Sequence, residues 1–121
     1  MRPIENDDVI PDLDSPGAAG IALRELASWL KSALGDALAE LRLFGSRARG
    51  DWSEESDVDV AVVVRDLARE TKNLILNKVA DIELEHLTPL SVLVLSADDF
   101  AHLVKRERRI ALDILREGIP L

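Results

Sequence analysis

Asp57 and Asp59 stand two residues apart at the head of an apolar run, Val58, then Val60-Ala61-Val62-Val63-Val64. The β-branched residues predict a largely buried strand from about Asp57 to Val64. Side chains two apart on a strand point to one face, so the two carboxylates project side by side from Cα atoms ~7 Å apart. Two bare carboxylates at that range repel each other unless a cation lies between them. Hard oxygen donors on a rigid strand suit Mg²⁺, which takes one or two protein carboxylates and fills its octahedron with water and phosphate oxygens. Taken alone, the same pair reads equally as two solvated acids at a strand end.

A second constellation lies just upstream. Leu41, Leu43 and Phe44 form a short apolar strand that breaks at Gly45, and Ser46-Arg47-Ala48-Arg49-Gly50 follows. Gly45 permits backbone angles closed to other residues and the close approach of a ligand to the main chain. Ser46 is a favoured N-cap, and one short helical turn can run from it to a stop near Gly50. The exposed N–H groups and partial positive charge of such a turn favour a phosphate, with Arg47 and Arg49 as added cations. The plainer reading is a strand-turn-helix with a solvated arginine pair.

In this order and spacing, Gly45-Ser46, Gly50 and Ser56-Asp57-x-Asp59 with an apolar run behind them resemble the signature of the DNA polymerase β-like nucleotidyltransferase superfamily, and the small size resembles its minimal nucleotidyltransferase branch. The motif covers about a fifth of the chain, and the order of elements extends the likeness to most of the rest. The resemblance implies an α/β fold with a small mixed sheet of three to four strands, covered by helices mainly on one face. It implies Mg²⁺-dependent transfer of a nucleotidyl group, usually AMP from ATP, to an acceptor hydroxyl. It also implies a helical protein partner of the HEPN type, for which such domains act as antitoxins, in some cases by adenylylating a tyrosine of that partner. Asp57 and Asp59 would then be the catalytic, metal-holding carboxylates, and Gly45, Ser46, Arg47 and Arg49 the phosphate-binding residues.

The superfamily's third carboxylate, expected on the strand after the second main helix, has no counterpart in Leu90-Ser91-Val92-Leu93-Val94-Leu95. Ser91 is the position at which it would stand. Glu83 and Glu85 are the nearest alternatives, though both read more simply as a solvated helix face. Binding of a metal–nucleotide complex is therefore a safer expectation than turnover, and a catalytically weak module that neutralises a partner by occlusion is the alternative function.

The positioning elements follow from periodicity. Ile21, Leu23, Leu26, Trp29, Leu30, Leu34 and Leu38 recur at helical spacing, predicting a helix from about Gly20 to Leu38, with Trp29 in the core. A strand from Glu40 to Phe44 comes next, and Asp51, Glu54 and Glu55 read as solvated acids of the loop before Asp57. Leu67, Leu74, Ile75, Val79, Ile82 and Leu84 predict a second main helix over about 66–87, and Pro89 leads into a strand from Leu90 to Leu95. Ser96, followed by Asp98 and Asp99, is an N-cap pattern opening a helix to about Val104. A last helix runs from about Arg106 to Arg116, its apolar side formed by Ile110, Ile114 and Leu115, and stops at Gly118. The basic run Lys105, Arg106, Arg108 and Arg109 reads as a solvated face, or as a patch for a triphosphate or an acidic partner.

Composition sets the bounds. The 121 residues are 47% hydrophobic, enough for one core, and contain no cysteine, so disulfides and thiolate metal sites are excluded. The two histidines, His86 and His102, do not make a zinc spacing and read as helix-surface residues. Residues 1–17, with Glu5, Asp7, Asp8, Asp12, Asp14 and three prolines, read as a mobile acidic arm, leaving 18–121 as one domain. No leader or membrane span is evident, so a cytosolic location is expected. A net charge of −8 opposes non-specific nucleic-acid binding and favours a protein partner or a small metal-escorted substrate. Exposed apolar positions on the first and last helices would support homo-oligomer formation.

Overall fold

The computed structural model describes residues 17–50 and 57–121. The acidic arm up to residue 16, the loop acids Asp51, Glu54 and Glu55, and Ser56 of the motif lie outside the described residues.

The chain begins with α1 (Ala18–Leu34), whose Ala22, Leu23, Leu26, Ala27 and Leu30 are buried at helical spacing. The helix stops four residues short of the predicted Leu38 because Gly35 takes φ 52°, and a single 3₁₀ turn, Gly35–Ala37, leads into β1 (Leu38–Phe44). Leu38 continues the apolar spacing of α1 in sequence but is the first strand residue, an instance of a glycine terminator overriding periodicity. A four-residue helix, α2 (Ser46–Arg49), then β2 (Val58–Val64), α3 (Arg69–His86), β3 (Leu90–Ser96), α4 (Ala97–Lys105), α5 (Arg109–Glu117) and the two-residue β4 (Ile119–Pro120) complete the order.

The sheet is mixed and four-stranded, in the order β3-β2-β1-β4. β1 is antiparallel to both β2 and β4, whereas β2 and β3 run parallel, joined by the α3 crossover. Strand alternation divides the core in two. Val58, Val60, Val62 and Val64 of β2 pack with Leu41 and Leu43 under α1 and α3, together with Ile75, Val79 and Ile82. Ala61 and Val63 point the other way and meet Phe100 of α4 and Ala111 and Ile114 of α5. The two long helices thus cover the larger core and the two short ones the smaller. Truncating a fully buried leucine such as Leu23 or Leu43 to alanine removes about 2–5 kcal/mol.

On α5 the buried residues are Ala111 and Ile114, while Ile110 and Leu115, expected on the apolar side, each remain 39% exposed. The last helix begins at Arg109 rather than near Arg106, because Glu107 at φ 54° and the extended Arg108 break it from α4. Lys105, Arg106, Arg108 and Arg109 are exposed across that break. Ser96 caps α4 as expected, its Oγ accepting from the Asp99 N–H at 3.0 Å.

Candidate active site

The β1–β2 register sets the site. Phe44 pairs with Asp59, so the chain leaves β1 at Gly45 beside the Asp59 carboxylate. Gly45 has φ 77° and ψ −158°, a region essentially closed to side chains, and a Cβ there would lie 2.3 Å from Asp59 Oδ2. This glycine is fixed both by its backbone angles and by the carboxylate stacked on its Cα. It is also the N-cap of α2, a role expected of Ser46. Ser46 is instead the first helical residue, and Gly45 O accepts from the N–H groups of Ala48 and Arg49 at 3.1 Å each. The turn closes at Gly50, whose N–H donates to Ser46 O at 2.9 Å.

Asp59 lies within β2, on the same face as Ala61 and Val63, and is half-buried; Asp57 immediately precedes the strand and is exposed. Desolvation raises the Asp59 pKa above the ordinary aspartate value, and the neighbouring negative charge of Asp57 raises it further. A hydrogen bond from Ser91 and the positive charge of Arg49 act in the opposite sense. Ser91 is the register partner of Asp59 across the parallel β2–β3 ladder. A half-buried carboxylate with a second acid beside it and a glycine cradle against it is a donor set suited to a hard divalent cation.

The arginines part company. Arg47 turns inward and is buried at 5% exposure, whereas Arg49 is half-exposed, acts on Asp59 and pairs with Glu117 Oε1 at 3.1 Å. Of the two expected phosphate cations, Arg49 therefore lies beside the carboxylates. Glu117 had no signal in the sequence: it lies 68 residues from Arg49 and is brought there by α5 turning into β4 against β1.

Both alternative acids have contacts of their own. Glu83 Oε2 accepts from the Leu90 N–H at 2.8 Å, bracing the start of β3. Glu85 lies 3.8 Å from His86 Nε2. His86 is not a plain surface residue, since it bonds Glu25 Oε1 of α1 at 2.7 Å. Among the described residues, Glu25, Glu85 and His86 are close enough to share a metal ion, but Glu25 already has His86 and, at 3.8 Å, Lys78 as partners. Lys78 also lies 6.0 Å from the ring centre of Trp29, which packs against the larger core as expected. No helix of the described residues is long and apolar enough to cross a membrane.

Comparison with known proteins gives three findings. Residues 23–115, more than half of the chain, match the family model described as "Nucleotidyltransferase domain". Two proteins of Methanocaldococcus jannaschii, each named "Putative protein adenylyltransferase", are 44% identical over 45 residues and 45% identical over 42 residues. Those matches cover 37% and 35% of this chain and 46% and 42% of the relatives, so the similarity spans less than half the length of either. A crystal structure titled as a "putative nucleotidyltransferase from Sulfolobus solfataricus" shares 19% identity, covers 84% of this chain and 85% of its own, and superposes with a TM-score of 0.46.

Proposed function

Because the chain belongs to the nucleotidyltransferase domain family, we propose that it transfers a nucleotidyl group, AMP from ATP, to a hydroxyl of a protein acceptor. The observation that carries this reading is the contact of Gly45 with Asp59, which puts a phosphate-sized turn directly against a half-buried carboxylate that has a second acid beside it.

The residues divide the work. The N–H groups at the start of α2 and the Arg49 guanidinium bind the β- and γ-phosphates, which neutralises charge that Asp57 and Asp59 would otherwise repel. Asp57 and Asp59 would hold Mg²⁺, which supplies charge neutralisation at the triphosphate when bound. Ser91 orients the Asp59 carboxylate by donating to it. The acceptor hydroxyl attacks the α-phosphorus in line, its bond to phosphorus forming as the bond to the pyrophosphate oxygen breaks, and the hydroxyl proton passes to solvent. Positioning and electrostatics supply most of the rate in such transfers, so loss of either aspartate lowers it roughly a hundredfold or more.

The names of the M. jannaschii proteins support a protein acceptor, and the resemblance to minimal nucleotidyltransferases supports a HEPN-type helical toxin carrying the acceptor tyrosine. A second reading, neutralisation of that partner by occlusion, is favoured by Ser91, which places a neutral hydroxyl at the register position of Asp59 where a third carboxylate would complete the centre. Incubation with α-labelled ATP, Mg²⁺ and the product of the neighbouring gene separates the two. Label transferred to the partner by the wild type but not by Asp57→Asn supports the enzyme. A tight complex with no label supports the occluding module.

A further inference from the structure

Arg49 is the last residue of α2, and its two ends are held by different parts of the chain. Its backbone N–H donates to Gly45 O at 3.1 Å, and its Nη1 donates to Glu117 Oε1 at 3.1 Å. The sheet explains the meeting. β4 flanks β1 on the side away from β2, with Ile119 paired to Leu43, so Glu117, two residues before Ile119, falls level with Gly45, two residues after Leu43. Asp59 pairs with Phe44 from the β2 side. Two acids therefore flank the end of β1 from opposite neighbours, and the Arg49 charge acts on both.

Glu117 stands on a fixed turn. Ala111 and Ile114 bury α5 against the sheet, and the Gly118 N–H donates to Ile114 O at 2.9 Å. A Cβ at Gly118 would overlap Ile114 O and press within 2.9 Å of Arg42 Cδ, so the exit from the helix is close-packed on β1. Beyond it, the Leu121 N–H donates to Leu41 O at 2.9 Å, and Lys31 Nζ of α1 donates to Leu121 O at 2.7 Å. A half-exposed ion pair such as Arg49–Glu117 adds little to stability, because two long side chains are ordered in water for one contact. What it supplies is order in the guanidinium. A long, rotamer-rich side chain that must be fixed on binding costs affinity, and one fixed beforehand does not.

We propose that Glu117 is a positioning residue of the phosphate site, its carboxylate holding the Arg49 guanidinium beside the Gly45 turn before a nucleotide arrives. Such a role rests on Arg49 being a ligand of the triphosphate, as in the proposed function. A guanidinium carries several N–H donors, so one held through Nη1 can still meet phosphate oxygens.

Isothermal titration calorimetry with ATP and Mg²⁺ separates position from charge. Glu117→Gln and Glu117→Ala remove the same negative charge, but only the glutamine keeps an acceptor for Arg49 Nη1. Glu117→Gln should bind at least as tightly as the wild type, and Glu117→Ala about three- to tenfold more weakly than Glu117→Gln, with melting temperatures alike. In an Arg49→Ala background, itself weakened, that difference should vanish. Binding by Glu117→Ala as tight as by Glu117→Gln, or a difference that survives Arg49→Ala, would overturn the positioning role and leave the nucleotide reading standing. A folded wild-type chain that takes up no ATP with Mg²⁺ would overturn both.

Discussion

Asp59 and Ser91 are register partners across the parallel β2–β3 ladder, where the Ser91 side chain opposes the rise that burial gives the Asp59 pKa. One neutral hydroxyl on the neighbouring strand thus partly offsets the desolvation that drives this acid toward its protonated form. The relationship bears on both metal binding and turnover.

Ser91→Asp tests its chemical meaning. The substitution puts a third carboxylate beside Asp59, so it should tighten Mg²⁺ and raise any nucleotidyl transfer. It should also destabilise the metal-free protein, because three acids then share one end of the sheet. Transfer rates and melting temperatures with and without Mg²⁺ check this. A rate that does not rise despite tighter Mg²⁺ binding points to the occluding module.

Asp59 carries a pH signature. Its native pKa lies above the ordinary aspartate value of 3.8, mainly through desolvation, so its ionised form is penalised in the fold. The penalty is absent below 3.8, where both states are protonated, grows as pH rises toward the raised native value, and is complete above it. Asp59→Asn should therefore stabilise the metal-free protein at neutral pH and lose that advantage in acid. Thermal melts across pH 3–8, paired with NMR titration of the carboxylate, check the sign. Asp57→Asn should lower the Asp59 pKa.

Gly45→Ala tests the cradle. The added methyl would meet Asp59 Oδ2 at 2.3 Å in a backbone conformation that side chains avoid. A loss of about 1–3 kcal/mol is expected, with weakened metal–nucleotide binding because Asp59 must move. Gly45→Ala as stable as wild type in chemical denaturation would contradict this geometry.

The Glu25–His86 bridge tests the packing of α1 on α3. The hydrogen bond from His86 is the main cause lowering the Glu25 pKa below the ordinary glutamate value of 4.5. A lowered acid contributes stability that is complete above its unfolded value and lost as pH falls through the native one. His86→Ala should reduce the melting temperature by a few degrees at pH 7 and make little difference in strong acid, while nucleotide binding persists.

Much of this arrangement was legible in the sequence because it is local. The valines after Asp57, the Gly45 break and the Ser96 cap each depend on neighbours a few residues away, and the strands and helices they predict are present within a few residues. What escaped was set by contact at long range or by backbone angle. Gly35 ended α1 inside an unbroken apolar period, and Glu107 displaced the start of α5. The Arg49–Glu117 pair exists only once β4 docks on β1, and the Glu25–His86 bond only once α1 meets α3. The inward turn of Arg47 belongs to the same class, because a four-residue helix gives too little periodicity to assign its faces.

Isothermal titration calorimetry with ATP and Mg²⁺ is the most direct measurement of the paired-aspartate site. One saturable site per chain is expected for the wild type, dependent on Mg²⁺ and weakened at least ~tenfold by Asp57→Asn and by Asp59→Asn. No heat of binding by the folded wild-type chain, or an affinity that neither substitution changes, would contradict it.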